Sequence, residues 1–271
     1  MKLDGRLAVV TGAASGIGRA LASSLARRGC HLALADIDAK GLRDTASAAA
    51  ALDVRCSEHR VDVTDRAAIA ALPAEIQRAH ENRDVHLLVN NAGVALGGTF
   101  EEVSEADFDW LIDVNFQGVV RMTRAFLPYL RRADEARLVN LSSVFGLVSP
   151  PGQAAYSASK FAVRGFSNAL RHELAGTSVG VSVVHPGGVA TSIARNARVP
   201  QGSDPKEVAR RLAAAARHLR MPPERAAELI VRGIERDAPR ILVGADAKVL
   251  ALIERLMPVR YWTVLSRLLA R

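Results

Sequence analysis

Short apolar runs alternate with amphipathic helical stretches along almost the whole chain, and this alternation leaves few architectures open. Residues 6–10, RLAVV, form an unbroken apolar run, the pattern of a parallel strand buried on both faces. Further runs follow: HLALAD ending at Asp36, VRCSEHRVDV carrying Asp62 and Val63, VHLLVN ending at Asn90, ARLVNL, VGVSVVHP ending at Pro186, and RILVG. Between them, residues 39–51, 66–81, a short and then a long helix within 101–132, the stretch beginning AAYSASK, and PPERAAELIVRGIER place apolar residues at helical spacing. Regular alternation of strand and helix predicts an α/β fold, a doubly wound and mostly parallel seven-stranded sheet with helices on both faces. Ligands of such a sheet lie beyond the carboxyl ends of its strands.

With 271 residues, 49% of them hydrophobic, the chain can bury a large core without covalent staples. One domain is expected over 1–245, followed by an apolar and basic helical tail over 246–271. Cys30 and Cys56 provide neither a disulfide framework nor metal-ligand spacing, and reduced, buried thiols in a cytoplasmic protein are expected. The seven histidines show no metal spacing either. The N-terminal apolar run is too short for a signal peptide. No stretch reaches the ~18 uninterrupted apolar residues of a membrane span. The net charge of +8 resides entirely in the last part of the chain: residues 1–194 hold 20 basic and 20 acidic side chains, which leaves 16 basic and 8 acidic of the 36 and 28 for residues 195–271.

Three groups of residues carry candidate chemistry. Gly12, Gly16 and Gly18 follow the first strand and open a helix. Gly12 permits a tight turn, Gly16 lets backbone approach a phosphate, and Gly18 lets helix pack on strand. The spacing is G-x-x-x-G-x-G, and a glycine-rich turn without a ligand shares it. Asp36 ends the second strand, twenty residues past Gly16. There it can accept a ribose 2′-hydroxyl or simply cap the next helix. It would repel a 2′-phosphate, and no Arg or Lys occupies 13–15 or 37–39, so NAD is favoured over NADP. Tyr156 and Lys160 lie four residues apart, on one face of a helix. A cation one turn away favours the phenolate of a tyrosine, and Ser143 offers a hydroxyl to the same substrate oxygen. The same pair also occurs by chance, as a half-buried tyrosine beside a solvated lysine. Asn115 sits awkwardly inside a helical pattern, which predicts a kink or a functional contact, with a simply exposed asparagine as the alternative.

TGAASGIG (11–18), Asp62-Val63, NNAG (90–93), Asn115, NLSS (140–143), YSASK (156–160) and PGGVAT (186–191) resemble the short-chain dehydrogenase/reductase family in its compact single-domain branch. The resemblance covers about residues 5–245. It implies a Rossmann-type fold and hydride transfer between a nicotinamide dinucleotide and a secondary alcohol or ketone. It implies that Tyr156 is the general acid/base, that Lys160 lowers the Tyr156 pKa and binds the nicotinamide ribose, and that Ser143 polarises the substrate oxygen. Asn115 would hold a water that relays protons through Lys160. Gly12, Ser15, Gly16, Ile17, Gly18, Asp36, Asp62, Val63, Asn91, Ala92, Gly93, Tyr156, Lys160, Pro186, Gly187, Val189 and Thr191 are implied as cofactor contacts. A homodimer or homotetramer built on the helices holding Asn115 and Tyr156 is implied as well.

Substrate residues are read as Ser143, Phe145, Gln153 and Tyr156. Val94, Ala95, Leu147 and Val148 lie nearby, which predicts a fairly apolar small-molecule substrate. The segment 191–222 is expected to be a lid. It carries Arg195, Arg198, Arg210, Arg211, Arg217 and Arg220, either for an acidic substrate or as a solvated helix face. His185 is read as a hydrogen-bonded structural residue. The tail, split by Pro258, is expected on its own domain or a sister subunit, then on an anionic membrane surface, then on a partner protein. Nucleic acid and a metal are not expected. The alternative function is a nucleotide-bound scaffold or sensor with little turnover whose tail docks on membrane or protein.

Overall fold

The computed structural model describes residues 1–269, the side chains of residues 215, 268 and 269 apart. Ala270 and Arg271, the latter counted above with the basic tail, lie outside the described residues. Seven strands, β1 (Leu7–Thr11), β2 (His31–Asp36), β3 (Cys56–Arg60), β4 (Val85–Asn90), β5 (Ala136–Leu141), β6 (Val179–Pro186) and β7 (Arg240–Val243), form one sheet in the order β3-β2-β1-β4-β5-β6-β7. Every pairing is parallel, where the sequence predicts a mostly parallel sheet. The inner strands β1, β4 and β5 are buried along their whole length, which is why their sequences are apolar without alternation. Edge strand β3, CSEHR, is largely uncovered and correspondingly polar.

Side chains alternate across the sheet. Ala8, Val10, Leu32 and Leu34 face a core built with α1 (Gly16–Ala26), α2 (Ala39–Ala50) and α8 (Pro223–Glu235). Leu7, Val9, Ala33 and Ala35 face the opposite core, built with α3 (Arg66–Ala79), α5 (Gly118–Leu130) and α6 (Ala154–Glu173). The chain winds to one face from β1 and to the other from β4. The carboxyl ends of these two neighbours therefore open onto a crevice at the topological switch point.

Caps fix the helix starts. The side chain of Asp38 accepts the Lys40 and Gly41 N–H groups, Asp65 those of Ala67 and Ala68, and Ser104 that of Asp107 at α4 (Glu105–Ile112). Between α4 and α5 the backbone forms a π-helical turn, Asp113–Gln117, and Asn115 lies in its middle. α7 (Pro205–Ala216) belongs to the expected lid segment. Beyond β7, α9 (Ala245–Leu256) and α10 (Tyr261–Leu269) flank the turn at Pro258. Among the described residues no helix is long and apolar enough to cross a membrane.

Candidate active site

The crevice is built first from backbone. Thr11 ends β1, and its hydroxyl accepts the N–H groups of Asn91 and Ala92, both at 3.0 Å, across the mouth of the sheet. The Asn91 amide returns two bonds, to the carbonyls of Thr11 (2.9 Å) and Gly12 (3.1 Å). Gly12 turns at φ +64° and Gly16 at φ +51°, the left-handed region where glycine is at ease. A Cβ on Gly12 would lie 2.7 Å from the Asn91 amide, and one on Gly18 only 2.0 Å from the Gly12 carbonyl oxygen. The helix can approach the turn only because these carbons are absent.

Ser15 is the N-cap of α1, yet its side chain makes no capping bond, and the first turn of α1 holds no acidic residue. The first N–H groups of a helix have no intrahelical partners and carry the positive end of its dipole. This cradle suits an anion such as the pyrophosphate of a dinucleotide. Ile17 and Gly18 lie in the same first turn, and the Thr191 side chain stands over Gly16. The carboxylate of Asp36 accepts the N–H of Ala14 (2.9 Å) and that of Asp38 (3.0 Å), so it braces the glycine turn. It does not cap α2, whose cap is Asp38. Asp62 accepts both the N–H and the hydroxyl of Thr64 at 2.8 Å. Val63 packs against Gly118 at the start of α5.

The other wall carries Ser143, Tyr156 and Lys160. Ser143 follows β5 in extended backbone and caps a 3-10 turn, Val144–Gly146, its hydroxyl accepting the Phe145 N–H at 3.1 Å. Ser142 instead donates to the Lys160 carbonyl at 2.8 Å and ties β5 to α6. Tyr156 is half-buried in the first turn of α6. The Lys160 ammonium lies 5.6 Å from the Tyr156 ring centre and donates to the Leu141 carbonyl at 3.2 Å. Burial pushes the Lys160 amine down to about 8. It pushes the Tyr156 phenol up, an effect the Ser143 hydroxyl partly offsets. A Cβ on Gly93 would fall 3.1 Å from Asn115 Oδ1 and 3.5 Å from Lys160 Nζ, so this glycine keeps the space between them open.

Asn115 is spent on protein groups. Its oxygen accepts the Val94 N–H (2.8 Å), and its amide donates to the Val94 carbonyl (3.0 Å) and to Ser159 Oγ (3.2 Å). Ser159 in turn donates to the Tyr156 carbonyl at 2.7 Å. Asn115 thus braces both the loop after β4 and the helix that presents Tyr156. His185 Nδ1 lies 2.9 Å from the Ser143 carbonyl. A carbonyl only accepts, so Nδ1 carries the proton. Burial holds this ring down to about 4, a neutral structural donor.

Beyond Tyr156 the surroundings are apolar. Phe145 meets the Tyr156 ring edge-to-face at 6.1 Å. Val94, Leu96, Val103, Phe108, Trp110, Leu111 and Ala155 form a small cluster with Tyr156. Gln153 caps α6 without a side-chain bond and is half-buried. Leu147 and Val148 are fully packed into the protein, so they line no free surface. In the expected lid, Arg198 pairs backbone with Ala95 and Gly97, stacks over Trp110 at 3.5 Å and bridges Asp107 at 3.0 Å. Arg211 is held by Glu207 and Glu102. These two arginines are therefore engaged within the chain.

Sequence reasoning assigns no part to three features. Thr11 stitches β1 to β4, as described. Asn90 donates to Asn140 (2.8 Å) and Thr123 (3.2 Å), and Asn140 to Ser167 (2.9 Å), a buried ladder joining β4, β5, α5 and α6 beneath the site. Asp246, at the start of α9, accepts the Gly188 N–H at 2.7 Å and so holds the Pro186–Thr191 loop. Polar residues inside apolar strands were the available signal for the first two. Nothing local marks Asp246.

The sequence profile of the short chain dehydrogenase family matches residues 6–202. SadH of Mycobacterium tuberculosis, a provisionally named oxidoreductase, is 44% identical over 264 residues, covering 95% of this chain and 93% of SadH. A short-chain dehydrogenase/reductase from Burkholderia phymatum, solved in complex with NAD, has a TM-score of 0.87 at 34% identity and covers 95% of both chains. An alcohol dehydrogenase from the archaeon Thermococcus sibiricus, complexed with 5-hydroxy-NADP, has a TM-score of 0.72 at 27% identity, covering 87% of this chain and 93% of that one. With the profile spanning most of the sheet, and with relatives and solved structures alike along nearly the full length, this chain belongs to the short-chain dehydrogenase family.

Proposed function

We propose that the protein is a nicotinamide-dependent oxidoreductase that interconverts a fairly apolar secondary alcohol and its ketone, with Tyr156 as general acid/base. The observation that carries this is the convergence of Ser143, Tyr156 and Lys160 on one lip of the crevice, whose other side is the glycine turn suited to an anion. When bound, the nicotinamide dinucleotide would supply or accept the hydride.

The chain's own residues do the rest. A carbonyl oxygen set between the Ser143 hydroxyl and the Tyr156 phenol receives a hydrogen bond from each. As negative charge grows on that oxygen, both bonds strengthen, and this difference lowers the barrier. Tyr156 then passes its proton to the oxygen, or takes it back when an alcohol is oxidised. The Lys160 cation, 5.6 Å from the ring, favours the phenolate that remains. Ser159 and Asn115 hold the start of α6 against the loop after β4 and keep the phenol in place. The apolar cluster around Phe108 and Trp110 excludes water from one side.

General acid/base catalysis contributes roughly 10²–10⁴-fold to rate. Tyr156→Phe is therefore expected to lower kcat by about that factor while NADH binding, followed by fluorescence, is unchanged; full activity in this variant would refute the role of the phenol. We further propose a preference for NAD over NADP. Asp36 stands at the end of β2 with its carboxylate anchored by two N–H groups. A 2′-phosphate brought there would meet a fixed negative charge. Steady-state kinetics with both cofactors decides the matter, and a higher kcat/KM with NADP would count against Asp36.

A further inference from the structure

The last two helices carry an apolar stripe that the domain leaves uncovered. α9 packs inward through Ala247 and Ala251, and α10 through Leu265. The Tyr261 hydroxyl accepts the Ser149 N–H at 3.1 Å. Outward, Val249, Leu252 and Leu256 follow one another at i, i+3 and i+7, and Met257 and Val259 are exposed in the turn that follows. They are 55, 56, 69, 46 and 90% exposed. Among the described residues these are five of the eleven exposed large apolar side chains, gathered within residues 249–259. Single exposed apolar residues are ordinary, but a contiguous patch marks a contact site.

The border of the patch is cationic. Lys248, Arg255, Arg260 and Arg267 are exposed, and among the described residues none of the four forms an ion pair. Asp246 is engaged with Gly188. Glu254 is half-buried beside Arg240. A two-fold contact between copies would set this patch against itself. The cationic border formed by Lys248, Arg255 and Arg260 would then meet a border of the same sign on the second copy, where like charges repel. An anionic lipid surface satisfies both features at once, the acyl boundary taking the stripe and the headgroups the cations.

We infer that α9 and α10 dock this protein peripherally on an anionic lipid surface, with the stripe Val249–Val259 lying in the interface plane. Among the described residues neither helix is long and apolar enough to span a bilayer. The Tyr261–Ser149 bond ties the docked face to the loop between Ser143 and Tyr156. On the function proposed above, an apolar substrate would reach that loop from the lipid side. Docking itself is tested without any activity assay, so failure of one proposal leaves the other standing.

The test is co-sedimentation of the full chain with vesicles of phosphatidylcholine alone and of phosphatidylcholine mixed with phosphatidylserine. Binding is expected to the mixed vesicles only and to fall with added salt. Leu252→Glu combined with Leu256→Glu should abolish it without shifting the thermal midpoint, because both side chains are solvent-exposed. Arg255→Gln should lower the partition roughly fivefold, the effect of one basic residue at an anionic surface. Equal binding to both vesicles, or none, overturns the inference. If the double variant instead lowers the mass of an assembly in sedimentation velocity while wild type ignores vesicles, the patch belongs to a sister subunit and the inference is likewise lost.

Discussion

At the residue scale, one absent carbon does much of the positioning. Gly18 meets the Gly12 carbonyl so closely that a Cβ would sit 2.0 Å from its oxygen and 2.6 Å from the Asn91 amide. Both obstacles are fixed, the first as backbone and the second by its bonds to Thr11 and Gly12. Gly18→Ala must push α1 off the turn, and overpacking of this kind costs about 1–3 kcal/mol. Gly165 is the opposite case: it is exposed in mid-α6, and a Cβ there meets nothing within 4 Å. Gly165→Ala should gain roughly 0.5–1 kcal/mol, because alanine holds a helix with less entropy lost. Thermal midpoints of the two variants should move in opposite directions, and a wild-type midpoint for Gly18→Ala would remove the packing account of the turn. The spacing of the glycines made Gly18 legible in the sequence. The part played by Asn91 was not, since its amide crosses 79 residues to reach Gly12.

At the scale of elements, Asn115 shows what periodicity can and cannot reveal. An asparagine inside a helical pattern predicts a kink or a contact, and the chain provides both as a π-helical turn, Asp113–Gln117, between α4 and α5. A single wide turn shifts the apolar register too little to be named from sequence, so the disturbance was legible and its type was not. The tie between α9 and the Pro186–Thr191 loop left no trace at all, because Asp246 and Gly188 are 58 residues apart. A Cβ on Gly187 would fall 2.2 Å from the Asp246 carboxylate, so this loop lies directly against α9. Asp246→Ala removes one exposed hydrogen bond, worth about 1 kcal/mol, and frees the Gly188 backbone. On the proposed function, which puts the nicotinamide end at this loop, KM for NAD should rise about fivefold while kcat changes less. Asp246→Asn should restore it, since the amide oxygen accepts the same bond. A wild-type KM in the alanine variant would reduce Asp246 to a surface contact.

At the scale of the molecule, seven parallel strands and two helical layers were legible because each buried strand and each amphipathic helix carries its own pattern. His185 was legible as a hydrogen-bonded structural residue, but the burial of the other histidines was not, because burial is a property of the assembled fold. His59, His80, His86 and His185 are all buried. Ser57 Oγ lies 2.8 Å from His59 Nε2 and 2.9 Å from His80 Nε2. With neutral rings the Ser57 hydroxyl can donate to one ring nitrogen and accept from the other, whereas protonating both rings makes both nitrogens donors and leaves the Ser57 proton without either as acceptor. Burial holds His80 and His185 down to about 4, against 6.5 for a free imidazole. For these two groups the unfolded chain binds more protons than the folded one between those values. Their contribution to stability is therefore complete above about pH 6.5 and is lost as the pH falls toward about 4. Each should cost about 1.4 kcal/mol per pH unit across that window. Urea midpoints taken from about pH 7 down to about pH 5 should fall steadily, and His80→Gln should make the decline shallower by about one histidine's share. A midpoint that stays level over this range would mean that the buried rings accept protons without strain, and that the packing around Ser57 and Ser143 yields far more than a close-packed interior does.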